Sequence, residues 1–147
     1  MPDPVLSNKL TILLGDGGGT EVFSWPCGAT SRSVTFTNNT GEQVVMDCTD
    51  PLGLPAAIVR WTESQDTSIS IAGRIDRASL AGWRAWNDTG NVRNIRVNFG
   101  ETGANGGGYY QLPAIIQSFE LGAEDKGMVT FTASIMGAGR RVWTAAA

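Results

Sequence analysis

With 147 residues, 41% of them hydrophobic, the chain has the length of one domain and can bury a core without disulfide or metal staples. Its 11 Lys and Arg against 14 Asp and Glu leave a net charge of −3, which argues against a basic platform for a phosphate backbone. The lack of any histidine excludes Ser-His-acid triads, Cys-His pairs and histidine zinc sites.

The 19 glycines and the scarcity of charged, helix-favouring stretches point to a mainly β class. No apolar stretch approaches the roughly 20 residues that cross a bilayer as a helix. Met1-Pro2-Asp3-Pro4 lacks the basic and apolar regions of a secretory leader. Cys27 and Cys48 show neither metal nor redox spacing and are expected as reduced, mostly buried thiols of a cytoplasmically made protein, with a disulfide left open.

Residues 1–8 carry Pro2 and Pro4 without periodicity and read as an arm that docks on neighbours. Lys9 to Leu14 and Thr20 to Trp25 form an expected hairpin across Gly15-Asp16-Gly17-Gly18-Gly19. That loop lacks a following Gly-Lys-Ser/Thr and precedes a strand, so it reads as a turn between strands and not as a phosphate cradle. A second hairpin is predicted from Ser33–Thr37 and Gln43–Cys48 around Asn38-Asn39-Thr40-Gly41. Prolines 51 and 55 make the segment from Thr49 to Pro55 a loop that exposes Leu52 and Leu54.

Ala57–Thr62 and Thr67–Ala72 read as strands about a Glu63–Asp66 turn. Asp76 caps a helix from Arg77 to Trp86, with Leu80, Trp83 and either Trp86 or Asn87 at helical spacing, and Asp88–Asn91 stop it. The sequons at Asn38 and Asn87 are expected as turns. Val92–Phe99 is a strand with Arg93, Ile95, Val97 and Phe99 on one face and Asn94, Arg96 and Asn98 on the other, and a glycine-rich loop runs from Glu101 to Gly108. The strongest signal is a closing hairpin from Gly106–Leu121 and Met128–Gly137, whose second arm alternates Val129, Phe131, Ala133 and Ile135 with Thr130, Thr132, Ser134 and Met136.

These elements sum to roughly ten strands and one flanking helix, a single mainly β domain of two packed antiparallel sheets in a sandwich or partly open barrel. The 14 acids are scattered over turns, and a carboxylate pair for glycoside hydrolysis, with Asp and Glu from different strands facing each other, is left open as a minor alternative. Arg140-Arg141 and Glu124-Asp125 read as solvated turn residues. Trp83 and Trp61 are assigned to the core, whereas Trp25, Trp86 and Trp143 flank turns or the terminus and suit interfaces. The competing use of these rings, with Tyr109 and Tyr110, is a stacking platform in a β-sandwich carbohydrate-binding module. No catalytic, cofactor or metal-ligating residue is assigned.

The order of several local strings resembles the major tail tube proteins of long-tailed phages and phage-like gene transfer agents. These strings are Leu13-Leu14-Gly15-Asp16-Gly17-Gly18-Gly19, Asp47-Cys48-Thr49-Asp50, Ser68-Ile69-Ser70-Ile71-Ala72-Gly73, Gly107-Gly108-Tyr109-Tyr110, Ala114-Ile115-Ile116-Gln117-Ser118-Phe119-Glu120 and Gly137-Ala138-Gly139. The resemblance spans nearly the whole chain. It implies a structural, non-enzymatic subunit in a virion tail assembled in a host bacterial cytoplasm, closed into hexameric rings that stack into a hollow conduit for DNA delivery.

Partners implied are the protein itself, tail terminator, tape-measure and tail-tip or baseplate proteins, with DNA passing unbound through the lumen and no membrane. The inner tube of a contractile injection system is implied as an alternative with the same fold. On this reading residues 49–56 form an inter-ring loop, with Asp50, Pro51, Leu52 and Leu54 as contacts, and residues 140–147 form a tail. Trp25, Trp143, Arg140 and Arg141 are further candidate contacts. The hairpin 109–137 faces the lumen through Gln117, Thr130, Thr132 and Ser134, with the helix 77–86 outside. A net acidic wall would repel phosphates within about 8 Å at 0.15 M salt.

Overall fold

The computed structural model describes residues 9–15, 22–25, 28–46, 48–49, 52–53, 55–123 and 127–146. Seven strands and one helix are defined: β1 (Leu10–Leu14), β2 (Ala29–Val45), β3 (Ala57–Arg74), α1 (Arg77–Thr89), β4 (Arg93–Phe99), β5 (Gly108–Gly122), β6 (Thr130–Gly137) and β7 (Val142–Ala145). All ladders are antiparallel, and the sheet runs β1-β4-β5-β6-β3-β2 with β7 on β5.

The two expected layers share one strand. The first half of β5 pairs with β4 from Gly108 to Ala114 and carries β7 on its other side from Gly108 to Gln111, while its second half, from Ala114 to Gly122, pairs with β6. One layer is therefore β2-β3-β6-β5 and the other β1-β4-β5-β7, and the sheet curls between them into a partly open barrel. The curl brings the two ends of the strand order together, where the Arg32 Nε of β2 donates to the Leu10 carbonyl of β1. Within the curl lie Ile12, Ile69, Ile71, Ile95, Val97, Leu112, Phe131, Ala133 and Ile135. They come from alternate positions of their strands, as period-2 burial requires.

The helix closes the core from the flank. Asp76 accepts the Ser79 N–H at 3.0 Å, and the Gly90 N–H returns to the Trp86 carbonyl at 2.9 Å. Trp83 stacks on Phe119 of β5 at 5.7 Å and lies 5.6 Å from the Phe131 ring of β6. Trp86 is only 1% exposed and its Nε1 donates to the Asn91 carbonyl, so it belongs to the core and not to an interface. The helix runs through the Asn87 sequon to Thr89, whose hydroxyl bonds back to the Ala85 carbonyl.

Other expectations are corrected. The Asn38–Gly41 and Glu63–Asp66 stretches are not turns, because β2 and β3 pair with each other along nearly their full length. Asn38 and Asn39 satisfy their amides across the ladder with Gln65 and Ser64, at 3.1 and 2.9 Å. The strand count falls below ten for this reason. Leu14 meets Ser24 in a single bridge, while β1 takes β4 as its main partner. Within residues 140–147, expected as a C-terminal tail, Val142–Ala145 supply β7 on β5. The break between β6 and β7 falls opposite Pro113, which has no N–H for the ladder.

Candidate assembly surfaces

The outer face of the layer β2-β3-β6-β5 is built from small hydroxyls. Burial of Phe131, Ala133 and Ile135 turns Thr130, Thr132 and Ser134 to the other side, and burial of Ile69 and Ile71 does the same for Ser68, Ser70 and Ala72. Cross-strand register sets Ser33, Ser70, Ser134 and Ser118 in one row and Ser31, Ala72, Thr132 and Glu120 in the next. Gln117 is the extra residue of a bulge in β5, and its Oε1 accepts from the Ser134 hydroxyl at 3.3 Å. Between the Thr37–Asp66 row and the Arg74–Thr130–Gly122 row, the described charges facing this side are Asp66, Arg74 and Glu120.

Both lateral edges of that layer are open among the described residues. The outer edge of β2 carries no strand, and from Ile115 to Gly122 β5 pairs only with β6. Open edges of this length are templates for pairing, and this one lacks the prolines and lysines that usually block it.

Beyond Phe36 and Thr67, β2 and β3 leave the body as a two-stranded ribbon that no other described strand supports. Its first part is polar, from Thr37 to Asn39 and Ser64 to Asp66. Its end is apolar, with Val44, Val45, Ile58, Val59 and Trp61 all exposed. Trp61, assigned to the core from sequence, is 44% exposed and lies over Gly41, where a Cβ would come within 2.6 Å of its ring. Glu42 and Arg60 pair across the ribbon at 2.8 Å. At the connection, Leu52 is 97% exposed and Cys48 is a free, exposed thiol, contrary to its expected burial. Asp50, Pro51, Leu54 and Cys27 lie outside the described residues.

Where the ribbon joins the body, Phe36, Phe99, Tyr110 and Trp143 form an aromatic cluster. Their rings are inclined to one another by 58°, 78°, 48° and 59°, so they form no flat surface on which a sugar ring can stack. Arg141 is no solvated turn residue, since its guanidinium sits 4.7 Å from the Phe36 ring centroid; Arg140 is exposed. On the flank, Leu14, Trp25, Ala78, Gly82, Trp83 and Trp86 line a groove of about 330 Å³, with Arg93 at its rim. The structure thus separates the predicted contacts: Trp25 is in the groove, Trp143 and Arg141 are at the aromatic cluster, and Leu52 is at the ribbon connection.

Among the described residues no three metal-capable side chains cluster. The Ser79 hydroxyl and backbone N–H hold the Asp76 carboxyl below its ordinary value, which is the signature of a helix cap. Sequence reasoning missed the ribbon and the two open edges. The available signal was that Ala29–Val45 and Ala57–Arg74 contain no proline.

A family model described as phage tail tube protein matches residues 5–142. This chain belongs to the phage tail tube protein family. The tail tube protein is accordingly a structural component of a virion or phage-like tail. A comparison with curated proteins returns no match. Among solved structures, the C6-symmetric tail of an empty gene transfer agent particle matches with a TM-score of 0.77 at 20% identity, over 95% of this chain and 98% of that one. The SPP1 tail tube matches with a TM-score of 0.67 at 14% identity, over 97% and 80%. The baseplate of the anti-feeding prophage matches with a TM-score of 0.59 at 11% identity, over 99% and 98%. At these identities the likeness is one of fold.

Proposed function

We propose that six copies of the tail tube protein close into a ring by joining the open edge of β2 in one copy to the open edge of β5 in the next. Rings then stack into a conduit for DNA. The observation that carries this reading is the parity of the layer β5-β6-β3-β2. Four antiparallel strands leave its two edge strands running in opposite directions. Copies related by rotation about one axis therefore meet antiparallel at every joint, and the barrel closes without a mismatch. Closure also removes both exposed edges. The number six follows the C6 symmetry of the gene transfer agent tail with the same fold.

Joined in this way, the hydroxyl face with Thr130, Thr132, Ser134 and Gln117 lines the lumen, and α1 lies outside. Such a wall offers a passing duplex few cations, and the net charge of −3 per copy disfavours phosphate binding. The ribbon, with Leu52 and its neighbours Asp50, Pro51 and Leu54, reaches the adjacent ring. Trp25, Trp143, Arg140 and Arg141 supply further contacts between copies, and tail terminator, tape-measure and tail-tip or baseplate proteins meet the tube at its ends and within its lumen. No catalysis is required of any of these surfaces.

Electron microscopy of the concentrated protein tests the reading. Rings or tubes of hexameric projection are expected, and a protein that stays monomeric at high concentration and beside its tail partners refutes it. Leu52→Asp sits at an almost fully exposed position, so the subunit should fold normally and form no tubes. Normal tube length in that variant removes the inter-ring role of the 49–56 loop.

A further inference from the structure

We infer that the groove lined by Trp25, Gly82 and Trp83 is the receptor for the apolar end of the ribbon from a second copy in the adjacent ring. The inference rests on the stacked-ring reading above and names the surface that reading leaves open.

Reach is the first argument. The ribbon leaves its own layer at the Thr67–Phe36 row, the end opposite the Arg74–Thr130–Gly122 row. In a head-to-tail stack it therefore enters its neighbour at that neighbour's Gly122 end. Trp61 and Gly41 lie ~15 Å beyond the layer and Val45 and Ala57 ~30 Å beyond it, at about 3.3 Å per residue. On the receiving copy, Trp83 of the groove stacks on Phe119, ~10 Å from the Gly122 row, and Leu14 lies in the Ile95–Leu112 row, ~30 Å from it. The polar first part of the ribbon acts as a spacer, and its apolar end arrives at the height of the groove.

Chemistry is the second argument. The ribbon presents Val45, Val59 and Trp61 on one face, alternating with the Glu42–Arg60 pair, and Glu63, the extra residue of a bulge, lays its carboxylate beside Trp61 over Gly41. The groove offers the half-buried Trp25 ring above the buried Trp83 and Trp86, together with small residues on the helix, Ala78 and Gly82; a Cβ added at Gly82 meets nothing within 4 Å. Among the described residues, neither Glu63 nor Arg93 at the groove rim makes an ion pair, and Arg93 is held over the Trp86 ring at 5.7 Å. Seating the ribbon brings an unpaired carboxylate to an unpaired guanidinium as apolar surface is covered on both sides.

The test uses full-length protein assembled into tubes. Gly82→Trp fills the groove and should reduce pelletable tubes at least tenfold, with circular dichroism unchanged. Arg93→Glu and Glu63→Arg should each reduce assembly, and the double variant should restore most of it. In addition, a Gly82→Cys, Cys27→Ser protein should couple to its exposed Cys48 through a short bismaleimide in tubes, giving a ladder of covalent oligomers that dissociated subunits do not give. Normal assembly of the Gly82→Trp variant overturns the inference. So do Gly82→Cys tubes that form without coupling, or a charge reversal whose double variant is no better than either single. If the unmodified protein forms no tubes at all, the stacked-ring reading fails first, a result distinguishable from all of these.

Discussion

Glu120 gives the sharpest test of which face of the layer meets the genome. It is the acidic member of the Ser31–Ala72–Thr132 row and is exposed on the hydroxyl face. In the proposed ring, six copies of a four-stranded layer form a barrel of ~24 strands with a backbone radius of roughly 24 Å at ordinary strand tilt. Neighbouring Glu120 carboxylates are then ~19 Å apart across the strands, about two Debye lengths at 0.15 M salt. A phosphate passing ~10 Å from one carboxylate feels about 0.4 kcal/mol of unscreened repulsion in water, reduced to ~0.1 kcal/mol by salt.

Glu120→Lys changes this small repulsion into attraction by a longer side chain that can touch phosphate and release counterions. It alters about twelve units of charge per ring, repeated along the tube. Short duplex DNA should be retained by purified variant tubes at 50 mM salt and released at 300 mM, and DNA release from assembled particles should slow with the same salt dependence. Asp88→Lys makes the same charge change on the exposed end of α1 and serves as the control. Equal DNA retention by the two variants, or by neither, refutes the placement of the hydroxyl face in the lumen.

Three other outcomes check the fold that carries these surfaces. Trp83→Ala removes the stack on Phe119 and Phe131 and should cost about 3–5 kcal/mol in urea unfolding, whereas a loss below ~1.5 kcal/mol contradicts its central packing. Gly108 has φ of 151° and a Cβ there would lie 2.3 Å from the Thr144 carbonyl oxygen. Gly108→Ala should therefore cost ~1–3 kcal/mol in backbone strain, release β7 and open Arg140 and Arg141 to trypsin; unchanged cleavage contradicts the β5–β7 pairing. Because the Asp76 carboxyl is held below its ordinary value, its stabilisation is present above about pH 4 and lost as pH falls through the lowered value. The melting temperature of Asp76→Ala should lie below that of the unmodified protein at pH 6 and converge with it as the pH falls through the lowered value, and a constant gap contradicts the cap.

The elements with local signals were legible in the sequence. Thr130–Gly137 alternates so regularly that its buried face follows directly from the residues, and Asp76 with Trp83 defines the start and the inner side of α1. Asn38-Asn39-Thr40-Gly41 misleads because the residue types that favour turns also serve in a strand when amide partners stand opposite, and Gln65 and Ser64 come from a distant part of the chain. Trp61 and Trp86 exchange roles for a related reason. An indole in an apolar strand is buried only if another layer covers it, which the ribbon lacks, while the indole after a helical turn is buried because its N–H finds the Asn91 carbonyl. Of the candidate contacts, the hydroxyl face follows from periodicity, but the groove joins Trp25, Gly82 and Arg93 from three separate elements and needs the tertiary fold to be seen.

The even number of strands in the layer proposed to line the lumen is indifferent to ring size, since five, six or seven copies satisfy the same hydrogen bonds at every seam. In the proposed tube the bore is then decided by how sharply each copy bends, and the irregularities within the layer are the extra residues Gln117 in β5 and Thr30 in β2. On that proposal, single residues at those two points set the calibre of the channel.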